Sequence, residues 1–168
     1  MATKQTFTAG QVLTAAQMNT LQGYVGAVQV VTTNKTDNFS TSSATYVDVT
    51  GVSVSITPTS ATNKVLVIVQ GIVTDEAGGS GGRMNLLRGS TNIAQSTGAT
   101  NNQTLPIEAG LNGNPFSIVF VDSPATTSAT TYKIQVRINA GGSSITIGSN
   151  RLNVYGGHTT ITAIEVTP

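Results

Sequence analysis

One histidine, seven carboxylates and no cysteine are the chain's whole stock of acid–base and metal-ligating groups. His158 follows Gly156-Gly157, where a hairpin turn is expected, so it reads as a solvent-exposed turn residue. A zinc site needs several nitrogen or sulfur ligands, and His158 has no second His or Cys to join it. A Ser-His-Asp triad needs a presented serine, and no Gly-x-Ser-x-Gly elbow occurs. Asp75-Glu76 opens a glycine-rich loop whose oxygens would suit calcium, but the EF-hand spacing is absent and the loop reads as solvated. Glycoside hydrolysis takes two carboxylates flanking the scissile bond. Asp48, Glu76, Glu108, Asp122 and Glu165 are available, and their scatter over strands and loops is what chance supplies. Residues 78–83, GGSGGR, complete neither GxGxxG nor a P-loop. The four tyrosines and four phenylalanines would stack on sugars or bases, but at so low an aromatic content core packing accounts for them better. The expectation is a protein without catalytic residues, metal or cofactor.

The elements that would position any such group are strands. Lys64 to Thr74, KVLVIVQGIVT, is the longest nearly unbroken apolar run. Its valines and isoleucines are β-branched, which stiffens χ1 and favours strand. Both parities are apolar, so the run reads as a central strand covered on both faces. Gln70-Gly71 marks a bulge or close crossing. Val52, Val54 and Ile56 alternate with Ser53, Ser55 and Thr57, and Tyr132, Ile134, Val136 and Ile138 alternate with Lys133, Gln135 and Arg137. Further strands are expected at Ala27–Asn34, Tyr46–Val49, Phe116–Val121, Ile145–Ile147, Leu152–Tyr155 and Thr159–Val166. Arg83–Gln95 reads as a hairpin about Gly89-Ser90, a pair suited to a type II′ turn. Asp37–Thr45 reads as a loop or loose edge. Asp75–Gly82 and Ser96–Asn114 read as long loops, and the length of the second marks it as functional or packed on a partner. Nine or ten short strands with turn residues between them predict an all-β fold, a jelly-roll-like β-sandwich over residues 27–168.

Residues 1–26 read as a separate arm. Thr14-Ala15-Ala16-Gln17 fits a capping box, with Leu13 and Met18 as the hydrophobic staple. The helix is expected from Ala15 to Gln22, with Gly23 ending it. A helix of two turns is marginal alone. It must dock on something, either its own sandwich or a foreign surface.

Only 9% of residues are charged, against about 25% in an ordinary soluble domain. Threonine is the commonest residue, and the net charge is +1. So neutral a surface suits a protein packed into an assembly. The basic residues form no run, which argues against nucleic acid. No segment reaches transmembrane length, and the N-terminus has no apolar signal core, so synthesis in a cytoplasm is expected. Three Asn-x-Ser/Thr triplets, at Asn34, Asn38 and Asn102, carry little meaning without that signal.

FTAGQVLTAAQMNTLQ, residues 7–22, resembles the start of many tailed-bacteriophage virion proteins, where a short arm precedes a β-rich domain. NLLRGSTNI, FVDSPATTSATTYKIQVR and TTITAIEV resemble the body of small phage tail-fibre, head-fibre and virion structural proteins. The hairpin order also resembles, more loosely, the trimeric jelly rolls of the tumour-necrosis-factor and complement globular-head type. The phage resemblance implies a homo-oligomeric, trimeric virion component assembled in the host cytoplasm. The arm enters the sandwich within about 25 residues, about 85 Å at full extension, and no heptad repeat intervenes to make a shaft. That favours a capsid decoration or cement protein bound to the major capsid protein. Phe7, Leu13, Met18, Leu21 and Tyr24 would grip the coat. The alternative is a tail-fibre, receptor-binding protein whose loops recognise host cell-surface glycan. Leu13→Asp combined with Met18→Asp should abolish attachment to the particle and leave the sandwich folded, as read by co-sedimentation with virions and by circular dichroism. Unfolding of the whole domain would make the helix part of its own core.

Overall fold

The computed structural model of the chain describes residues 9–12, 14, 27–75, 81–97, 103–107, 113–139, 144–149 and 156–167. Those residues form eleven strands and no helix. The expected helix at 15–22 and the expected strand at 152–155 lie outside the described residues.

The strands are β1 (Ala27–Lys35), β2 (Phe39–Thr41), β3 (Val47–Ile56), β4 (Lys64–Asp75), β5 (Gly82–Arg88) and β6 (Thr91–Asn92). They continue with β7 (Leu105–Ile107), β8 (Asn114–Asp122), β9 (Thr130–Ile138), β10 (Ile145–Ile147) and β11 (Thr159–Val166). One sheet runs β1-β11-β4, with β8 on the far edge of β4. β10 pairs the end of β4 that β11 leaves open, Ile147 opposite Val73 and Ile145 opposite Asp75, and β2 lies outside β10. β10 thus extends the rank of β11, and β2 that of β1. The other sheet runs β3-β9-β5, with β7 and β6 pairing the two ends of the outer edge of β5. All these ladders are antiparallel. Counted as ranks in chain order, the first sheet reads 1-8-3-6 and the second 2-7-4-5.

The two sheets share one core, an all-β architecture consistent with a β-sandwich. Val65, Val67 and Val69 of β4 lie at its centre with Ile161 and Ala163 of β11 and Ile118 of β8. Val52, Val54 and Ile56 of β3, Tyr132, Ile134 and Val136 of β9, and Met84 and Leu86 of β5 supply the other wall. Each of these strands is apolar at every second residue, and the buried parity is the inner face.

Four details refine or correct the sequence pattern. Tyr46–Val49 and Val52–Ile56 are not two strands but mainly one, β3, with a register break opposite β9 between Asp48 and Ser53. Gly51 absorbs the extra residues at φ +84°, a left-handed conformation that costs glycine little. The segment 37–45 contains β2, and the long segment 96–114 contains β7. Gly71 is a close crossing without a bulge, because the ladder from β4 to β8 passes through it in register. A Cβ there would lie 2.7 Å from Thr159 Oγ1 and 3.0 Å from Phe116 Cε1. Last, among the described residues β4 is covered on one face only. Leu66 and Ile68 point away from the core and stay half-exposed.

Gly82 is where the sheets come closest among the described glycines. A Cβ at Gly82 would collide with Ile145 Cδ1 of β10 and lie 2.5 Å from the backbone oxygen of Arg137. The isoleucine can turn, but the carbonyl belongs to the β9 ladder and cannot. Gly82→Ala should therefore destabilise the fold by about 1–3 kcal/mol through overpacking. Urea denaturation checks this, with a lowered midpoint and an unchanged slope.

Candidate functional site

Of the acids that the sequence offers for catalysis, the described ones, Asp48, Asp122 and Glu165, are drawn into structural networks. Asp122 and Glu165 face inward at one end of the first sheet, each opposite Val65 across a ladder. Two strand spacings put their Cα atoms roughly 10 Å apart. Each carboxylate is already saturated. Glu165 is fully buried, and its Oε1 accepts from Thr59 N at 2.7 Å, Thr59 Oγ1 at 2.9 Å and Asn63 Nδ2 at 2.7 Å. Its Oε2 accepts from Gln29 Nε2 at 2.6 Å. Burial, the largest single influence, pushes the carboxyl up, but the hydrogen bonds together outweigh it and hold the group down at about 2. A carboxyl held there has no proton to donate at neutral pH. The network ties β1, the 57–63 turn and β11 together.

Asp122 closes the other side of that end. Arg88 of β5 donates from Nη1 to both its oxygens, at 3.0 and 2.8 Å, and to Ser123 O at 3.2 Å. Tyr132 of β9 donates its hydroxyl to Oδ2 at 2.7 Å. Burial and that bond raise the Tyr132 hydroxyl far above its ordinary range. One carboxylate on the first sheet thus holds two strands of the second.

Asp75 is buried and accepts from Gly81 N at 2.8 Å. Among the described residues no three His, Cys, Asp or Glu side chains cluster as metal ligands. His158 is exposed, immediately before β11. Glu76 and Glu108, and the anchor residues Phe7, Leu13, Met18, Leu21 and Tyr24, lie outside the described residues. Val12, within the arm, is 86% exposed.

What the structure does bring together are two outer faces. On the first sheet, Val30, Ile164, Leu66 and Val121 stand side by side on β1, β11, β4 and β8. One rung along, Ile68 and Val119 continue the band beside Thr32 and Thr162, whose hydroxyls share a 3.0 Å hydrogen bond. Val28 and Val166 extend it at the other end. Val30, Val119 and Val121 are each more than half exposed, and Lys64 is the only charged residue on these rungs. This is a continuous, uncharged aliphatic stripe across four strands. Exposed apolar patches with polar rims collect at interaction surfaces in general. Near the far end of β8, Val73, Ile107, Phe116, Leu105, Pro106 and Pro115 line an apolar cleft of roughly 430 Å³ between the edges of the two sheets.

The second sheet's outer face is polar. Arg83, Lys133 and Arg137 share it, although they lie far apart in sequence and form no run. Lys133 Nζ and Gln135 Nε2 both donate to Asp48, at 2.7 Å each. Their hydrogen bonds, and the lysine's charge, lower the Asp48 carboxyl. Register, not sequence spacing, gathers these residues, and β-ladder register is what a chain read alone does not display.

Compared with protein-family models and with curated proteins, the chain matches none.

The Glu165 network carries a pH dependence of defined sign. Its carboxyl is depressed in the folded chain, from 4.5 to about 2. The stabilisation is therefore complete above about pH 5 and is lost as the pH falls through 4.5 toward 2. Glu165→Gln should cost about 1–3 kcal/mol at neutral pH by leaving buried donors without an acceptor. It should also flatten the acid limb of a stability–pH profile measured by denaturant titration.

Proposed function

We propose that the chain is a non-enzymatic structural component of a bacteriophage virion, a homotrimer that decorates the capsid and stabilises it by burying surface across coat subunits. The observation that carries this reading is the aliphatic stripe on the outer face of β1, β11, β4 and β8. An uncharged row of valine, leucine and isoleucine open to water gains free energy when covered, about 25 cal/mol per Å² of apolar area. The stripe and the apolar cleft are different surfaces on different sides of the body. A contact joining two unlike surfaces closes into a ring, whereas a two-fold contact joins like to like. That supports a trimer over a dimer. The rank orders 1-8-3-6 and 2-7-4-5 support a jelly-roll topology, since nearly every connection crosses from one sheet to the other. The low charge supports residence in an assembly, and the resemblance of residues 7–22 to phage virion arms supports the particle. The exposure of Val12 favours an arm that grips a foreign surface, with the major capsid protein as its partner.

The second reading is a tail-fibre protein that recognises host glycan, and the polar outer face of β3-β9-β5 favours it. Copy number separates the two. Hundreds of copies per particle by quantitative gel against the major coat protein support decoration, and a few tens support a fibre.

The stripe yields its own test. Val30→Asp combined with Val119→Asp places two charges in the interface without touching the core. Light scattering on the wild-type protein should give three chains per particle, and the double variant should give one, with its circular dichroism unchanged. A wild-type monomer at micromolar concentration overturns the oligomeric reading.

A further inference from the structure

Arg83 on β5 and Arg137 on β9 are direct partners in the ladder, both on the outer face of the second sheet. Their neighbours in sequence, Gly82, Met84, Val136 and Ile138, all face inward. Opposed residues of a ladder stand about 5 Å apart at Cβ, where like charges destabilise the pair. A chain with only eight basic residues has placed two of them there. Among the described acids the nearest in register, Asp48, is already taken by Lys133 and Gln135. Among the described residues nothing neutralises the two guanidiniums. Arg137 lies over the Tyr46 ring, 5.3 Å from its centroid, with Nη1 at 3.4 Å from the carbonyls of Ala44 and Ile138. Arg83 has no hydrogen-bond or ion-pair partner among the described residues. One fork is held and the other is free to close. Departures from local rules without a compensating contact collect at functional sites.

We infer that the outer face of β3-β9-β5 holds an oxyanion site at Arg83 and Arg137 that takes the carboxylate or sulfate group of an acidic saccharide. Guanidinium forks match both groups with paired, charge-assisted hydrogen bonds. The surroundings choose the saccharide over a protein. Ser53, Ser55, Thr131 and Gln135 offer hydroxyls and amides across the same face. All the large hydrophobic residues described as exposed lie elsewhere, on β1, on β8 or at Val12. The apolar groups beside the pair are the exposed Pro106, opposite Arg83, and the Tyr46 ring that Arg137 already covers, so a protein partner would find little to bury and a sugar would find hydrogen bonds. The site lies on the opposite sheet from the aliphatic stripe, so it does not depend on the oligomeric reading.

Titration calorimetry on the full chain tests it, with an oligogalacturonide as the carboxylate probe, a sulfated oligosaccharide of equal length as the sulfate probe, and a neutral glucan as blank. The wild-type protein should bind one or both acidic probes and ignore the glucan. Arg83→Gln and Arg137→Gln should each weaken binding about tenfold or more. Lys64→Gln, which removes the same charge from the other sheet, should leave binding unchanged. Arg83 makes no contact that the fold needs, so its variant stays interpretable if Arg137→Gln unfolds. Light scattering on every variant separates loss of binding from loss of assembly. An equal loss in Lys64→Gln, or no binding of either acidic probe, overturns the site. Binding of polyglutamate as tight as that of the saccharides overturns the choice of ligand.

Discussion

A strand that is apolar on both faces needs both faces covered, and the described residues cover one. β4 is that strand. Its inner valines, Val65, Val67 and Val69, are sealed by the second sheet. Its outer residues, Leu66 and Ile68, are joined by Val30 and Ile164 on one side and Val119 and Val121 on the other. The sequence places six or more aliphatic side chains on the surface that a solitary protein would turn polar. Evolution of a merely soluble body would have put Thr or Lys at those rungs, as it did one rung further along with Thr160, Asn34 and Gln70.

One end of the sandwich is closed by charge rather than by oil. Glu165 and Asp122 sit at the same end of the inner face, where hydrophobic rows give way to the 57–63 and 123–129 turns. A buried carboxylate is costly unless every lone pair is used. Glu165 is served by four donors, and Asp122 by an arginine and a tyrosine. Both bonds sets join segments distant in sequence, so they specify which turn meets which strand. The same saturation removes them from chemistry.

Much of the fold was legible from period-two alternation. The patterns at Val52–Ile56 and Tyr132–Ile138, and the pair Gly89-Ser90, gave strands and a two-residue turn close to where they occur, because these signals are local. The turn is there, with Gly89 at φ +58° joining Arg88 to Thr91. What failed was non-local. Whether the outer face of β4 is covered depends on which layer lies over it, and an apolar parity looks the same covered or bare. β3 looked like two strands because a left-handed glycine and a break in register imitate a turn. The basic face was invisible for the same reason. Arg83 and Arg137 are 54 positions apart in number and become neighbours only through the ladder of β5 with β9. The capping box and staple expected at residues 13–18 lie, Thr14 apart, outside the described residues, as do Phe7, Leu21 and Tyr24.

The pairing of β1 with β11 has a consequence for how the protein is made. Ala27 lies opposite Val166, so the opening rank of the body is zipped to its closing one. β11 is also the strand that fills the gap between β1 and β4. While the ribosome is still translating residues 159–166, β4 has an unpaired edge and β1 has no partner in its sheet. Open edges of this kind recruit other chains. Folding therefore waits on translation of the eighth rank, and nascent copies must be kept apart until it arrives.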